Sequence, residues 1–241
     1  MHRTRCDQFR GELRIATESP KRLIIAIDGP AGAGKSTIAR SLAERLGIAY
    51  VDTGAMYRAV ALWALEANID LDDPFRLEQL ARQAHIEFTA PGNRVLLNGE
   101  DVTTKIREPR VTGAASKVAA VPGVRRAMRE EQRRIGGSQS VVMEGRDIGT
   151  VVFPEARVKI FLDAAPEARA HRRAAELGGP VAEIAREMIE RDTRDRTRAE
   201  APLTQAPDAE YLDSTGLTPG QVEEAILKIV REKTSNGQAA T

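Results

Sequence analysis

A doubly wound parallel α/β sheet, three layers deep, is the fold class that the sequence predicts, on three observations. Apolar runs of strand length recur at residues 22–28 (RLIIAID), 48–52 (IAYVD), 140–145 (SVVMEG) and 158–163 (VKIFLD), each near-continuous rather than alternating, as in parallel strands covered on both faces. Helical patterns lie between these runs, and a chain that alternates strand and helix builds a parallel sheet. The stretch GPAGAGKS at residues 29–36 stands between the first run and a helical pattern, the context that a phosphate-binding loop requires.

The elements follow in order. Residues 1–21 (MHRTRCDQFRGELRIATESPK) are polar and are expected to form a flexible N-terminal extension. Neither they nor any later segment approaches the run of about 20 apolar residues that a membrane span needs. After the loop, Ile38, Leu42 and Leu46 recur every four residues before Gly47, and residues 57–67 are rich in helix formers. Residues 68–110 break the rhythm: HIEFTAPGNRVLLNGEDVTTKI holds two short β-like runs, a Pro91-Gly92-Asn93 turn and an Asn98-Gly99 hairpin signal, so a small antiparallel β insertion is expected there. Residues 111–135 read as helical, and residues 166–198 as a helical arm with a hinge at Gly178-Gly179-Pro180. Thr218 and Gln221 form a capping box with Pro219 at the first helical position, predicting a last helix that runs to about Lys233. A core of residues 22–67, 111–165 and 199–241 is thus expected, carrying the insertion and the arm.

With 36 Lys and Arg against 35 Asp and Glu, the net charge is +1, and no global basic field argues for nucleic acid as a partner. Cys6 is the only cysteine, so no intramolecular disulfide can form and a reducing, cytoplasmic setting is expected.

The loop carries the first chemical inference. Gly32 and Gly34 let the backbone turn tightly with its N–H groups inward, and the helix starting near Lys35 adds its positive end to an anion site. A nucleoside triphosphate is expected on Gly29, Pro30, Ala31, Gly32, Ala33, Gly34, Lys35, Ser36 and Thr37. Lys35 would reach the β and γ phosphates, and the Ser36 hydroxyl would complete the coordination of a bridging Mg²⁺.

Three further segments concern what receives the phosphoryl group. The second apolar run ends in VDTGAMYRA, which puts Thr53 and Arg58 beside the loop, because strand carboxyl ends face the ligand crevice in such sheets. Asp52 or Thr53 as a helix cap and Arg58 as a solvated helix residue is the alternative. The third run ends in EGRDIGT, which sends Arg146 and Asp147 toward the same crevice. ERDTRDRTR places Arg191, Asp195 and Arg198 on one helix face. A solvated charged helix is the commoner meaning of such a run, but transfer between two anions needs several cations to offset their repulsion, and the phosphate loop tips the choice.

The chain resembles bacterial cytidylate kinases in IAIDGPAGAGKST, YVDTGAMYRAVAL, AASKVAAVPGVR, EGRDIGTVVFP, VKIFLDA, RDTRDRTRAEAPL and LDSTGLT, in order over about residues 22 to 232. The resemblance implies transfer of the γ-phosphoryl group of ATP to CMP or dCMP by a monomer that acts on small-molecule nucleotides. It implies a core, an NMP-binding region containing the 68–110 insertion, and a lid at 166–198. By similarity, Arg58, Arg146 and Arg198 hold the acceptor phosphate, Ser116, Arg125 and Asp147 read cytosine, and Arg191 and Asp195 meet the sugar. Lys35, Arg146 and Arg198 form the expected catalytic set. Arg172 and Arg173 are candidates for phosphate contact or plain helix-surface residues. The rival readings are a kinase of another small acceptor such as UMP, and a nucleotide-dependent switch NTPase; no N-K-x-D guanine-reading motif supports the latter.

Overall fold

The computed structural model describes residues 22–89 and 94–235. The extension with Cys6 and the Pro91-Gly92-Asn93 turn lie outside the described residues.

Five strands make the main sheet: β1 (Ile24–Asp28), β2 (Ala49–Asp52), β6 (Val141–Gly145), β7 (Val158–Asp163) and β8 (Glu210–Asp213). Their order is β2-β6-β1-β7-β8, and every pairing is parallel. The four apolar runs read from the sequence are four of these strands. β8 has no such signature, because EYLD is a polar, largely exposed edge strand. β2 and β6 lie on one side of β1 and β7 and β8 on the other, so the topological switch lies there, where such sheets bind ligands. Register aligns the strand ends: Asp28 pairs with Gly145, and Asp52 with Glu144.

Helices cover both faces. On one, Ile38 and Leu42 of α1 (Lys35–Leu46) and Val222, Ile226 and Val230 of α8 (Pro219–Ser235) pack on Ile25, Ile27, Val142 and Ile160. The capping box of α8 is formed, since the Thr218 N–H donates to the Gln221 side chain at 2.9 Å. On the other face, Met56 and Val60 of α2 (Thr53–Glu66) meet Ala26, Val51 and Met143. Two further helices, α4 (Pro109–Val118) and α5 (Pro122–Ser138), complete that layer. They replace the single helical stretch expected at 111–135. Pro122 holds Val121 extended, at φ −74° and ψ 119°, and lacks the N–H that a continuous helix would need.

The 68–110 segment contains the expected antiparallel sheet of β3 (Ile86–Thr89), β4 (Arg94–Leu97) and β5 (Glu100–Asp101). Asn98 and Gly99 turn with φ 50° and 87°, as a tight hairpin demands. It also holds α3 (Pro74–Gln83), capped by Asp73 with proline in its first turn; that signal is present in the sequence but short. Helices α6 (Pro166–Leu177) and α7 (Val181–Thr197) form the arm, separated at Gly178-Gly179-Pro180.

Gly29 joins β1 to the loop in contact with β7. A Cβ there would lie 2.0 Å from the Leu162 carbonyl oxygen, and φ is +151°, so no other residue fits without moving backbone. G29A is expected to cost at least about 2 kcal/mol of stability, read as a lower urea midpoint. An unchanged midpoint would contradict this close approach.

Candidate functional site

The loop after β1 presents an anion site. Gly34 caps α1 in the left-handed region at φ 89°, and no side chain caps that helix end, which leaves first-turn N–H groups and the positive dipole end for an anion. The Lys35 ammonium donates to the Pro30 carbonyl at 2.7 Å. Burial and the neighbouring Arg146 depress its pKa to about 7, with Arg191 adding to the repulsion and Glu144 and Asp28 opposing it. A cation so placed gains strongly from any phosphate that joins it.

The arm holds the loop from the far side. Asp192 accepts the Ala31 N–H at 3.3 Å and pairs with Arg169 at 2.5 Å, while the same guanidinium donates to the Ala31 carbonyl at 3.0 Å. Both ends of the Ala31 residue are thereby clamped by one buried ion pair. Ala31 also packs with Ala170, Ile184 and Met188 in a small apolar cluster. Ser214, after β8, donates to the Ala33 carbonyl at 3.3 Å and receives Arg172 at 3.0 Å. Arg172 is thus engaged beside the loop, whereas Arg173 pairs with Glu176 on its own helix.

Ser36 adjoins Glu144 at the end of β6. Burial, followed by nearby Asp52, pushes the Glu144 carboxyl above its ordinary range, with Lys35 and the Ser36 hydroxyl opposing. The Tyr50 hydroxyl donates to Glu144 at 2.6 Å. Thr53 donates to the Glu144 backbone carbonyl at 2.7 Å, so its hydroxyl is committed to joining α2 and β6. Asp52 caps α2 through the Ala55 N–H at 2.9 Å and pairs with Arg58 at 2.8 Å. Burial alone would raise the Asp52 carboxyl, but Arg58 and that N–H outweigh it and hold the group below its usual range. Asp52 therefore takes the capping role weighed for it and is at the same time the partner of Arg58.

Across from the loop, the other candidates form one chain of charges. Arg125 pairs with Asp147 at 2.7 Å; Arg198 lies 3.5 Å from both Asp147 and Asp195; Asp195 accepts Arg146 at 2.9 Å. Burial opposes ionisation of Asp195, yet Arg146 and Arg191 keep its carboxyl low. Arg191 makes no ion pair among the described residues, and burial, with Arg146 next, depresses it to about 10. The Nε groups of Arg58 and Arg125 and Nη2 of Arg198 are buried without a hydrogen-bond partner. Such donors are costly to leave unmet, although Nη2 of Arg198 still lies 3.5 Å from the Asp147 carboxylate.

Ser116, on α4, is reached by Arg194 of α7 at 2.8 Å, a link between the arm and α4 that sequence reading missed. It also missed the Arg169–Asp192 clamp and Tyr57, whose ring lies under the Arg125 guanidinium at 5.6 Å. Asp192 was hidden inside the charged run: Arg191, Asp195 and Arg198 share one face, and Met188 and Asp192, four apart, share another. Among the described residues no cluster of three or more His, Cys, Asp or Glu is arranged for a metal, and no helix is long and apolar enough to cross a membrane.

A phosphate loop at the switch point of a parallel sheet, faced by a crevice of arginines, defines a P-loop phosphotransferase. The cytidylate kinase family model matches residues 25–232. A cytidylate kinase from Solibacter usitatus is 61% identical over 231 residues, covering 93% of this chain and 99% of that protein. One from Pelotomaculum thermopropionicum is 50% identical, covering 89% and 96%, and one from Lactiplantibacillus plantarum is 46% identical, covering 89% and 97%. The chain belongs to the cytidylate kinase family.

With its pKa near 7, the Lys35 amine is mostly neutral at pH 8, and phosphate oxygens at Nζ would restore its charge. ATP binding at pH 8 is therefore expected to take up a fraction of a proton. Calorimetry in two buffers of different ionisation enthalpy reads this, and K35M should abolish it. Equal heats in both buffers for the unaltered protein would contradict the assignment.

Proposed function

We propose that the protein transfers the γ-phosphoryl group of ATP to CMP or dCMP, giving ADP and CDP or dCDP. Family membership supports the reaction, and the observation that carries the acceptor assignment is the buried Arg125–Asp147 pair beside the unpartnered guanidinium donors. Arginine forks suit the planar, bidentate recognition of a phosphate, and Arg58, Arg146 and Arg198 are assigned to it. Cytosine offers an amino donor at C4, which the Asp147 carboxylate accepts, and a carbonyl and N3 that Arg125 and Ser116 satisfy. Uracil would turn a carbonyl toward Asp147. Arg191 and Asp195 are assigned to the sugar.

On the donor side, residues 29–37 cradle the triphosphate and Lys35 neutralises its β and γ oxygens. The residues fit a Mg²⁺: Ser36 would hold it directly and Glu144 through water, and phosphates would supply much of its coordination because no all-protein metal cluster stands here. Held there, Mg²⁺ would supply positive charge to offset that of the phosphates. Lys35, Arg146 and Arg198 stabilise charge on the phosphoryl group as it passes in line between two phosphates. No general base is required, since the attacking oxygen is already anionic.

We assign residues 22–67, 111–165 and 199–241 to the core, 68–110 to the NMP-binding insertion and 166–198 to the lid. The protein is proposed to act as a cytoplasmic monomer on nucleotides, a view supported by a site whose two halves come from one chain.

Initial rates with CMP, dCMP, UMP and AMP as acceptors test the reading. CMP and dCMP are expected to be fastest; faster turnover of UMP or AMP would overturn it. R198A is expected to lower kcat/KM for CMP by about 10²-fold or more while leaving ATP affinity largely intact, and normal turnover would remove Arg198 from the site. D147N is expected to narrow the preference for CMP over UMP; a constant ratio would remove Asp147 from base reading.

A further inference from the structure

Asp28 is the last residue of β1, directly before Gly29, and its side chain does not turn toward the loop. Its carboxylate accepts the N–H of Ile148 at 2.9 Å and that of Gly149 at 2.7 Å, one on each oxygen. Both N–H groups follow immediately on Arg146 and Asp147. The residue is 5% exposed. Burial raises its pKa to about 6, against the two N–H groups that lower it, and both of its oxygens accept. The charged groups facing it are Lys35 from α1 and Asp147 from the turn. The stem of Lys159, from β7, closes the far side at Gly149, with its ammonium turned away onto Asp208 at 2.8 Å. Gly149 is packed so closely that a Cβ would lie 3.2 Å from Lys159 and 3.4 Å from the Asp28 carboxylate. A stiff strand therefore holds the turn by one side chain at its start, while the turn's own backbone closes it further on, the Val151 N–H donating to the Asp147 carbonyl at 2.9 Å and the Phe153 N–H to the Ile148 carbonyl at 2.7 Å.

We infer that Asp28 is a positioning residue for the acceptor: by holding Ile148 and Gly149 it sets where Arg146 and Asp147 emerge into the crevice. A strand that ends in the donor loop thus also fixes the turn assigned to the acceptor. The inference rests on the assignment of Arg146 and Asp147 to the acceptor. Displacement of binding groups by about 1 Å can cost 10²-fold in rate, so loss of one acceptor oxygen here is felt at the acceptor before the donor.

The test is steady-state kinetics of D28N and G149A on the full chain, with D147N alongside and thermal unfolding to establish folding. D28N presents an amide N–H₂ to one backbone N–H; G149A crowds the same contact from the other side. The expected result for D28N is a KM for CMP raised about tenfold or more, a smaller CMP to UMP preference, and a KM for ATP within about twofold of the unaltered protein. G149A should move the same quantities less. An ATP KM that rises as much as the CMP KM, or an unchanged CMP KM in folded D28N, overturns the inference. Should D28N not fold, an unchanged CMP KM in G149A overturns it. D147N separates the two claims: if it leaves the CMP to UMP ratio unaltered, base reading by Asp147 fails, while the CMP KM of D28N still decides the positioning of Arg146.

Discussion

Everything at this site depends on holding concentrated positive charge out of water. Lys35, Arg58, Arg125, Arg146, Arg191 and Arg198 gather at the carboxyl ends of β1, β2 and β6, and unopposed they would drive the crevice apart. Asp52, Asp147 and Asp195 each take one or two of them, and Glu144 faces Lys35. The compensation is incomplete, as the depressed Lys35 and Arg191 and the unpartnered guanidinium donors record. That remainder is what a phosphate would complete. Removing one member of a buried pair such as Arg125–Asp147 leaves an uncompensated charge worth about 3–5 kcal/mol, so the carboxylates hold the fold as well as the chemistry.

The elements that present these groups differ in rigidity. β1 and β6 are central strands buried on both faces, and they carry Asp28, Glu144, Arg146 and Asp147 at or just past their ends. Arg191, Asp195 and Arg198 come from an arm with a glycine-rich break and a three-residue apolar core. The arm is nonetheless tied to the loop by Arg169 and Asp192 and to α4 by Arg194 and Ser116. One helix therefore carries both the Asp192 that grips the loop and the Arg191 and Asp195 proposed for the acceptor.

Much of this was legible in the sequence. The four continuous apolar runs suit parallel strands, and the full loop motif between strand and helix favours a phosphate site over an ordinary glycine-rich turn. The charged residues of EGRDIGT are placed at the crevice by the strand end they follow, and those of ERDTRDRTR by the need of a phosphate loop for cations opposite it. β8 was not legible, since a polar edge strand has no periodic signature. The division between α4 and α5 is legible only through Pro122, which holds Val121 extended. Asp28, Asp192 and Arg169 were hidden for another reason: each acts on the backbone of a segment distant in sequence, over 120, 161 and 138 residues. No local pattern encodes a side chain that grips a remote peptide group.

The central claim is that buried arginines, held by internal carboxylates, form a ready seat for a cytosine nucleotide opposite the phosphate loop. Its most direct measurement is a crystal structure of the protein with CMP. The account predicts the CMP phosphate within about 3 Å of guanidinium nitrogens of Arg58, Arg146 and Arg198, and the cytosine amino group on Asp147. A CMP phosphate seated on residues 29–36, or a cytosine remote from Asp147 and Arg125, would contradict it.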